Sequence, residues 1–165
     1  MRLGILSDIH DNISALRDAL ARLEGVDTLI CCGDLCSPFI INELGQGFTR
    51  DIHIVFGNND GDLFRITKNS LAFPHIQLHG EMAELEFDGC RFGINHYDTI
   101  GRVFAASNRY DVVCFGHNHQ FEISEVDQTI VINPGEILGS LSGTSTFVTF
   151  DTTERRPERH ELPGN

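Results

Sequence analysis

The sequence has no apolar run long enough to cross a bilayer, for which about 20 residues are needed. It also lacks the opening of a secretory leader. Met1-Arg2-Leu3-Gly4-Ile5-Leu6-Ser7-Asp8 carries one positive charge and meets an acid too soon. A soluble, cytoplasmic protein is the expectation. Positive charge is scarce: 12 Lys and Arg stand against 24 Asp and Glu, a formal net charge of -12. Proteins that bind duplex nucleic acid neutralise phosphates with a basic footprint. Long polyanions are therefore unsuited partners, whereas a small anion that meets bound metal is compatible. The five cysteines, Cys31, Cys32, Cys36, Cys90 and Cys114, are odd in number and mostly follow apolar runs. Free thiols in a reducing compartment follow. Cys32 and Cys36 could hold zinc or a redox centre, but no second pair at ligand spacing supports it. No repeat, low-complexity tract or interdomain linker interrupts residues 1–165, a length that suits one domain.

Leu3-Gly4-Ile5-Leu6 reads as a buried strand closed by Ser7-Asp8. Asn12 or Asp11 caps the helix that follows, with Ile13, Leu16, Ala19, Leu20 and Leu23 at helical spacing. Residues 26–32 form a second strand, stopped by Gly33-Asp34, and Pro38 opens another helix. Residues 52–56 form a third strand, stopped by Gly57-Asn58-Asn59-Asp60-Gly61. Strands alternating with helices predict an α/β sheet with parallel pairing. The second half changes character. Asp88-Gly89 joins strands 82–87 and 90–95 as a hairpin. A helix over 100–108 and a strand over 111–115 follow, then a hairpin around Asp127-Gln128 and two closing strands, 144–150 and 155–161. Two packed sheets with helices outside are expected.

Polar clusters sit just after five of the strand runs: Asp8-Ile9-His10, Gly33-Asp34, Gly57-Asn58-Asn59-Asp60, Asn95-His96 and Gly116-His117-Asn118-His119. Each has an ordinary explanation alone. Asp8 suits a helix cap, Gly33-Asp34 and Asn58-Asn59-Asp60-Gly61 suit turns, and His96 suits a polar strand end. His117-x-His119 is the sharpest signal, because alternate residues of an extended segment share a face. The series matters more than any member. Ligands in open α/β sheets bind at the carboxyl ends of strands, so one sheet edge is expected to collect the carboxylates, imidazoles and amides.

The ordered set resembles the calcineurin-like metallophosphoesterases, in particular their small single-domain prokaryotic phosphodiesterases. That family runs D-x-H, G-D, G-N-[HC]-[DE], a His motif and G-H-x-H, all matched in order between Asp8 and His119. The resemblance implies a four-layer α/β/β/α sandwich with two mixed β-sheets flanked by helices. It implies two divalent metal ions, manganese first, with iron, zinc and nickel also suited to carboxylate and imidazole ligands. Asp8, His10 and His119 would hold one ion, and Asn58, His96 and His117 the other. Asp34 would bridge them, offsetting repulsion between cations about 3.5–4 Å apart. The implied activity is hydrolysis of a small phosphodiester by a metal-bridging hydroxide.

Departures from the pattern sharpen the expectation. Asn59 stands where many relatives carry a His credited with protonating the leaving oxygen, and an amide cannot do that. Its expected catalytic part is a hydrogen bond to a phosphoryl oxygen, which favours esters with good leaving groups. Tyr97 and Asp98 replace a small residue and a second His, and Glu136 follows Asn133-Pro134-Gly135 where Ser is usual. Gly33-Asp34-Leu35-Cys36 lacks the Tyr ligand of purple acid phosphatases. His53, His75, His79 and His160 have no motif support. The alternative to an enzyme is a metal-binding scaffold of the same fold, as in a retromer subunit. A nuclease suits the charge less well. A homo-oligomer through the C-terminal strands is compatible with the pattern. Because Asn58 is neutral, its ion should bind less tightly. A metal titration should show two unequal sites, and equal affinities would contradict this.

Overall fold

The computed structural model describes residues 1–163. In chain order the elements are β1 (Arg2–Leu6), α1 (Ile13–Ala21), β2 (Thr28–Cys31), α2 (Ile40–Gly47), β3 (Asp51–Ile54), α3 (Leu63–Ser70) and β4 (Ile76–Leu78). Then come β5 (Met82–Phe87), β6 (Cys90–Asn95), α4 (Asp98–Ala106), β7 (Val112–Cys114), β8 (Glu122–Val126), β9 (Thr129–Asn133), β10 (Thr146–Asp151) and β11 (Arg156–Glu161). They form a sheet in the order β11-β10-β1-β2-β3-β4 and a second in the order β5-β6-β7-β9-β8. Both are mixed. In the first, β1 to β4 are parallel, while β10 and β11 are antiparallel additions. In the second, β6, β7 and β9 are parallel, flanked by antiparallel β5 and β8.

The central strands are apolar on both faces because both faces are covered. Leu6, Leu29, Ile52, Ile54 and Phe147 pack under α1 and α2, where Leu16, Leu20, Ile41 and Leu44 meet them. Alternate residues Leu3, Ile5, Ile30, Val148 and Phe150 face Phe92, Ile94, Val112 and Ile132 of the second sheet. The outer face of that sheet packs through Val113, Phe115 and Val131 against Ala105 of α4. The expected four-layer α/β/β/α order is therefore present. No helix of the described residues is long and apolar enough to cross a membrane.

Some elements differ from the sequence reading. The second helix begins at Ile40 rather than Pro38. Ser37 donates through its backbone N–H and Oγ to the Asp11 carboxylate, at 2.9 and 2.7 Å. That contact holds the segment in a turn. Neither α3 nor β4 was expected. Helix α3 is only eight residues long, buries only Ile66 and Ser70, and leaves Leu63 and Phe64 exposed, so few of its residues carry a core-facing signal. Its start is set by Asp62, whose carboxylate accepts from Arg65 N–H at 3.1 Å. Strand β4 has three residues at a sheet edge.

Phe92 and Phe150 meet edge-on between the sheets, 5.6 Å apart and fully buried. Phe92→Ala should destabilise the protein by about 3–5 kcal/mol, read from urea unfolding. Phe64→Ala, at a side chain 77% exposed, should leave stability nearly unchanged.

Candidate metal centre

The five polar clusters leave the carboxyl ends of β1, β2, β3, β6 and β7. The sequence reading expected one sheet edge. Instead the ends of both sheets meet. Two bonds cross from one sheet to the other there: His96 Nδ1 donates to Cys32 O at 2.8 Å, and His117 N–H donates to Asp8 Oδ2 at 3.1 Å. Glycine permits this approach at two positions. A β-carbon on Gly116 would collide with Ser7 Oγ and Asp8 Oδ2, and one on Gly57 with Asp34 Oδ1. Five of the expected ligand residues, Asp8, His10, Asp34, His117 and His119, have positive φ, from 43° to 73°. Asp and His tolerate that region better than most residues. Such backbone costs on the order of 1–3 kcal/mol each and concentrates at functional sites.

One group comprises Asp8, His10 and His119, whose ligand atoms lie within 4.8 Å of one another. Asp8 Oδ1 is 3.8 Å from His10 Nε2 and 3.6 Å from His119 Nε2. A second group comprises Asp8, Asp34 and His96. Asp34 Oδ2 lies between the groups, 3.3 Å from His10 Nε2 and 3.4 Å from His96 Nε2. Asn58 Oδ1 is 3.1 Å from His96 Nε2. His96 Nδ1 donates to Cys32 O at 2.8 Å, which leaves Nε2 to face Asp34 and Asn58. His117 is less drawn in. Its N–H donates to Asp8 Oδ2 at 3.1 Å, and its ring stands edge-on to His96 and Tyr97 at 5.1 and 5.0 Å.

The residues fit cations. Asp8 Oδ1 and His10 Nε2 are buried atoms with no hydrogen-bond partner among the described residues. Asp8, Asp34 and Glu136 are at most 1% exposed, and their only ion-pair partners among the described residues are histidines. Buried carboxylates without cationic partners are costly. Convergent oxygens and imidazole nitrogens are the donor set of Mn, Fe, Zn and Ni sites.

Other residues shape the centre. Asn59 turns inward: its N–H and Nδ2 donate to Asp34 Oδ1 and Oδ2, both at 2.8 Å. Asp60 accepts from Gly57, Cys36 and Asp34 N–H at 2.7, 2.9 and 3.2 Å, locking two ligand loops together. Cys36 Sγ is 3.3 Å from His10 Nδ1, whereas Cys32 is buried between the sheets. Glu136, noted in the sequence only as a departure where Ser is usual, meets His119 Nδ1 at 2.7 Å through Oε2. A buried acid following an Asn-Pro-Gly turn was the available signal. The remaining histidines lie elsewhere. His53 Nδ1 is 3.0 Å from His79 Nε2, and His160 stacks on Phe147 with ring centroids 4.7 Å apart.

Protons balance part of this negative charge. The Asp34 and Asp8 carboxylates push His10 up to about 10. Burial alone would raise Asp34, but the His10 and His96 imidazoles beside it and the hydrogen bonds from Asn59 outweigh it and hold Asp34 well below the usual carboxylate range. Burial opposes the proton on His96, yet Asp34 raises its pKa overall.

Residues 1–155 match the family model described as the calcineurin-like phosphoesterase superfamily domain. The chain is 34% identical over 159 residues to a phosphodiesterase of Methanocaldococcus jannaschii, covering 94% of this chain and 95% of that protein. The solved structure of an archaeal phosphodiesterase is similar at a TM-score of 0.91 and 33% identity, covering 98% of this chain and 100% of that one. Zinc-complexed Vps29 of Entamoeba histolytica shares the fold at a TM-score of 0.67 and 17% identity, covering 98% of this chain and 99% of that one.

A cation entering this centre must displace the His10 proton. In the metal-free protein that proton stabilises the fold fully below the unfolded imidazole value of about 6.5. Its contribution is lost as pH rises through about 10. The Asp34 contribution has the opposite sign: present above the unfolded carboxylate value of about 4, it is lost in acid. Calorimetric Mn²⁺ titrations in two buffers should show proton release and an affinity that rises from pH 6.5 toward 9. A pH-independent affinity would contradict this assignment.

Proposed function

The chain belongs to the calcineurin-like phosphoesterase superfamily, and from that premise we propose that it is a metal-dependent phosphodiesterase acting on small phosphodiesters. The observation that carries the diester assignment is an absence of cationic side chains. The loops 7–12, 32–39, 55–62, 96–97, 115–121 and 134–145 around the centre contain no Lys or Arg. A phosphomonoester approaches a second negative charge near neutral pH, because its second pKa is about 6. A diester carries only one, which suits a mouth already lined by carboxylates.

Two divalent cations, when bound, supply an acidified water and Lewis-acid contacts to phosphoryl oxygens. Asp8, His10 and His119 would hold one, Asn58, His96 and His117 would hold the other, and Asp34 would be shared between them. Manganese is the preferred metal, with iron, zinc and nickel compatible. Asn59 holds both oxygens of Asp34, Oδ1 through its backbone N–H and Oδ2 through its side-chain amide, and that amide is not acidic enough to protonate a leaving group. Esters whose leaving group departs unprotonated are therefore the better substrates.

One domain, residues 1–165, carries this activity. A cytoplasmic location suits the five free thiols. A second copy pairing along the free edge of β11 would meet Pro157 and alternating Arg and Glu side chains, which oppose edge pairing.

With Mn²⁺ present, bis(p-nitrophenyl) phosphate should turn over faster than p-nitrophenyl phosphate, and Asp34→Ala should abolish both activities. Absence of any metal-dependent turnover would favour the interaction-scaffold reading. Alkyl diesters should react about 10²–10⁴-fold more slowly than aryl diesters. Asn59→His should narrow that gap. Equal wild-type rates on the two classes would sink the leaving-group argument.

A further inference from the structure

Each candidate histidine ligand with a ring hydrogen bond is backed differently. His96 Nδ1 bonds a backbone carbonyl, His10 Nδ1 faces the Cys36 thiol, and His119 Nδ1 bonds the Glu136 carboxylate. Only the last backing group is charged. Glu136 is fully buried, and its other oxygen is saturated. Oε1 accepts from Leu141 N–H at 3.0 Å, Ser142 N–H at 2.6 Å and Ser142 Oγ–H at 2.7 Å. Oε2 is left to His119.

The backbone around Glu136 is equally fixed. Thr146 N–H donates to Glu136 O at 2.9 Å, while Ile137 and Leu138 N–H donate to Ser7 and Asp8 O at 3.1 and 3.0 Å. Glu136 is thus registered to the peptide that carries Asp8. The bond to Nδ1 sets the His119 tautomer, so its Nε2 lone pair points toward Asp8 Oδ1. A carboxylate behind a metal-ligating imidazole fixes the ring and increases its basicity.

We infer that Glu136 is the positioning residue of His119, and that it makes the Asp8–His10–His119 site the tighter of the two. Asn58, a neutral ligand of the other site, adds to the same asymmetry. The inference rests on the metal-centre reading, and its test measures metal binding rather than turnover.

Mn²⁺ titration of the full chain, followed by calorimetry, should give one tight and one weaker site. Glu136→Gln should weaken the tight site about 10–100-fold and leave the weaker one in place. Ser142→Ala, which removes one of three donors to Oε1 but keeps the His119 bond, should weaken the tight site less than Glu136→Gln does. An unaltered tight site in Glu136→Gln, or equal losses at both sites, would overturn this assignment alone. A wild-type protein that binds no metal would overturn the centre itself. A second measurement does not depend on the variant folding. In ¹⁵N-labelled wild-type protein loaded with Zn²⁺, His119 should carry its proton on Nδ1, hydrogen-bonded and slow to exchange. A proton on Nε2, or no protected Nδ1 proton, would overturn the assignment.

Discussion

Three carboxylates, Asp8, Asp34 and Glu136, are buried where two sheets meet, and no Lys or Arg pairs with them among the described residues. That concentration of negative charge is the constraint on which the rest of the centre depends. Water cannot solvate it, because Asp8 and Asp34 are covered by the loops that bring them together. Histidine protons offset part of it in the metal-free protein. Divalent cations would offset more, and would satisfy Asp8 Oδ1 and His10 Nε2, which otherwise lack hydrogen bonds. A fold that kept these groups for stability alone would be better served by apolar residues of similar size.

The sheets supply the rigidity that such crowding needs. Phe92, Phe150, Ile5 and Ile132 lock the two sheets face to face. Their strand ends cannot drift apart when like charges are brought together. The ligand peptides then accept unfavourable backbone, with positive φ at Asp8, His10, Asp34, His117 and His119. Hydrogen bonds from surrounding groups fix them there. Asp60 ties the Asp34 and Asn58 loops to each other. Asn59 clamps Asp34, and Glu136 clamps His119. Strain in the chain and neutralisation by hydrogen bonding are two aspects of one arrangement.

Much of this was legible in the sequence. Asp8, His10, Asp34, His96, His117 and His119 announce themselves because each follows an apolar run that must be a strand. The strand order and the facing of the sheets were not legible from those runs. That is why the expectation of one sheet edge became a junction between two. Helix α3 escaped notice because it is only eight residues long and buries only Ile66 and Ser70. Glu136 was hidden in a turn whose Asn-Pro-Gly sequence explained itself without chemistry. Asn59 was identified as a position, but its direction was not: the amide turns to Asp34 rather than toward the mouth. Side-chain direction at such sites is set by partners from distant strands, which local sequence does not encode.

The central claim is that this junction holds two cations bridged by Asp34. Anomalous diffraction from crystals grown with Mn²⁺ tests it most directly. The account predicts two peaks, one among Asp8, His10, His119 and Asp34, and one among Asp34, Asn58, His96 and His117. A single peak, or manganese bound only outside this junction, would contradict it.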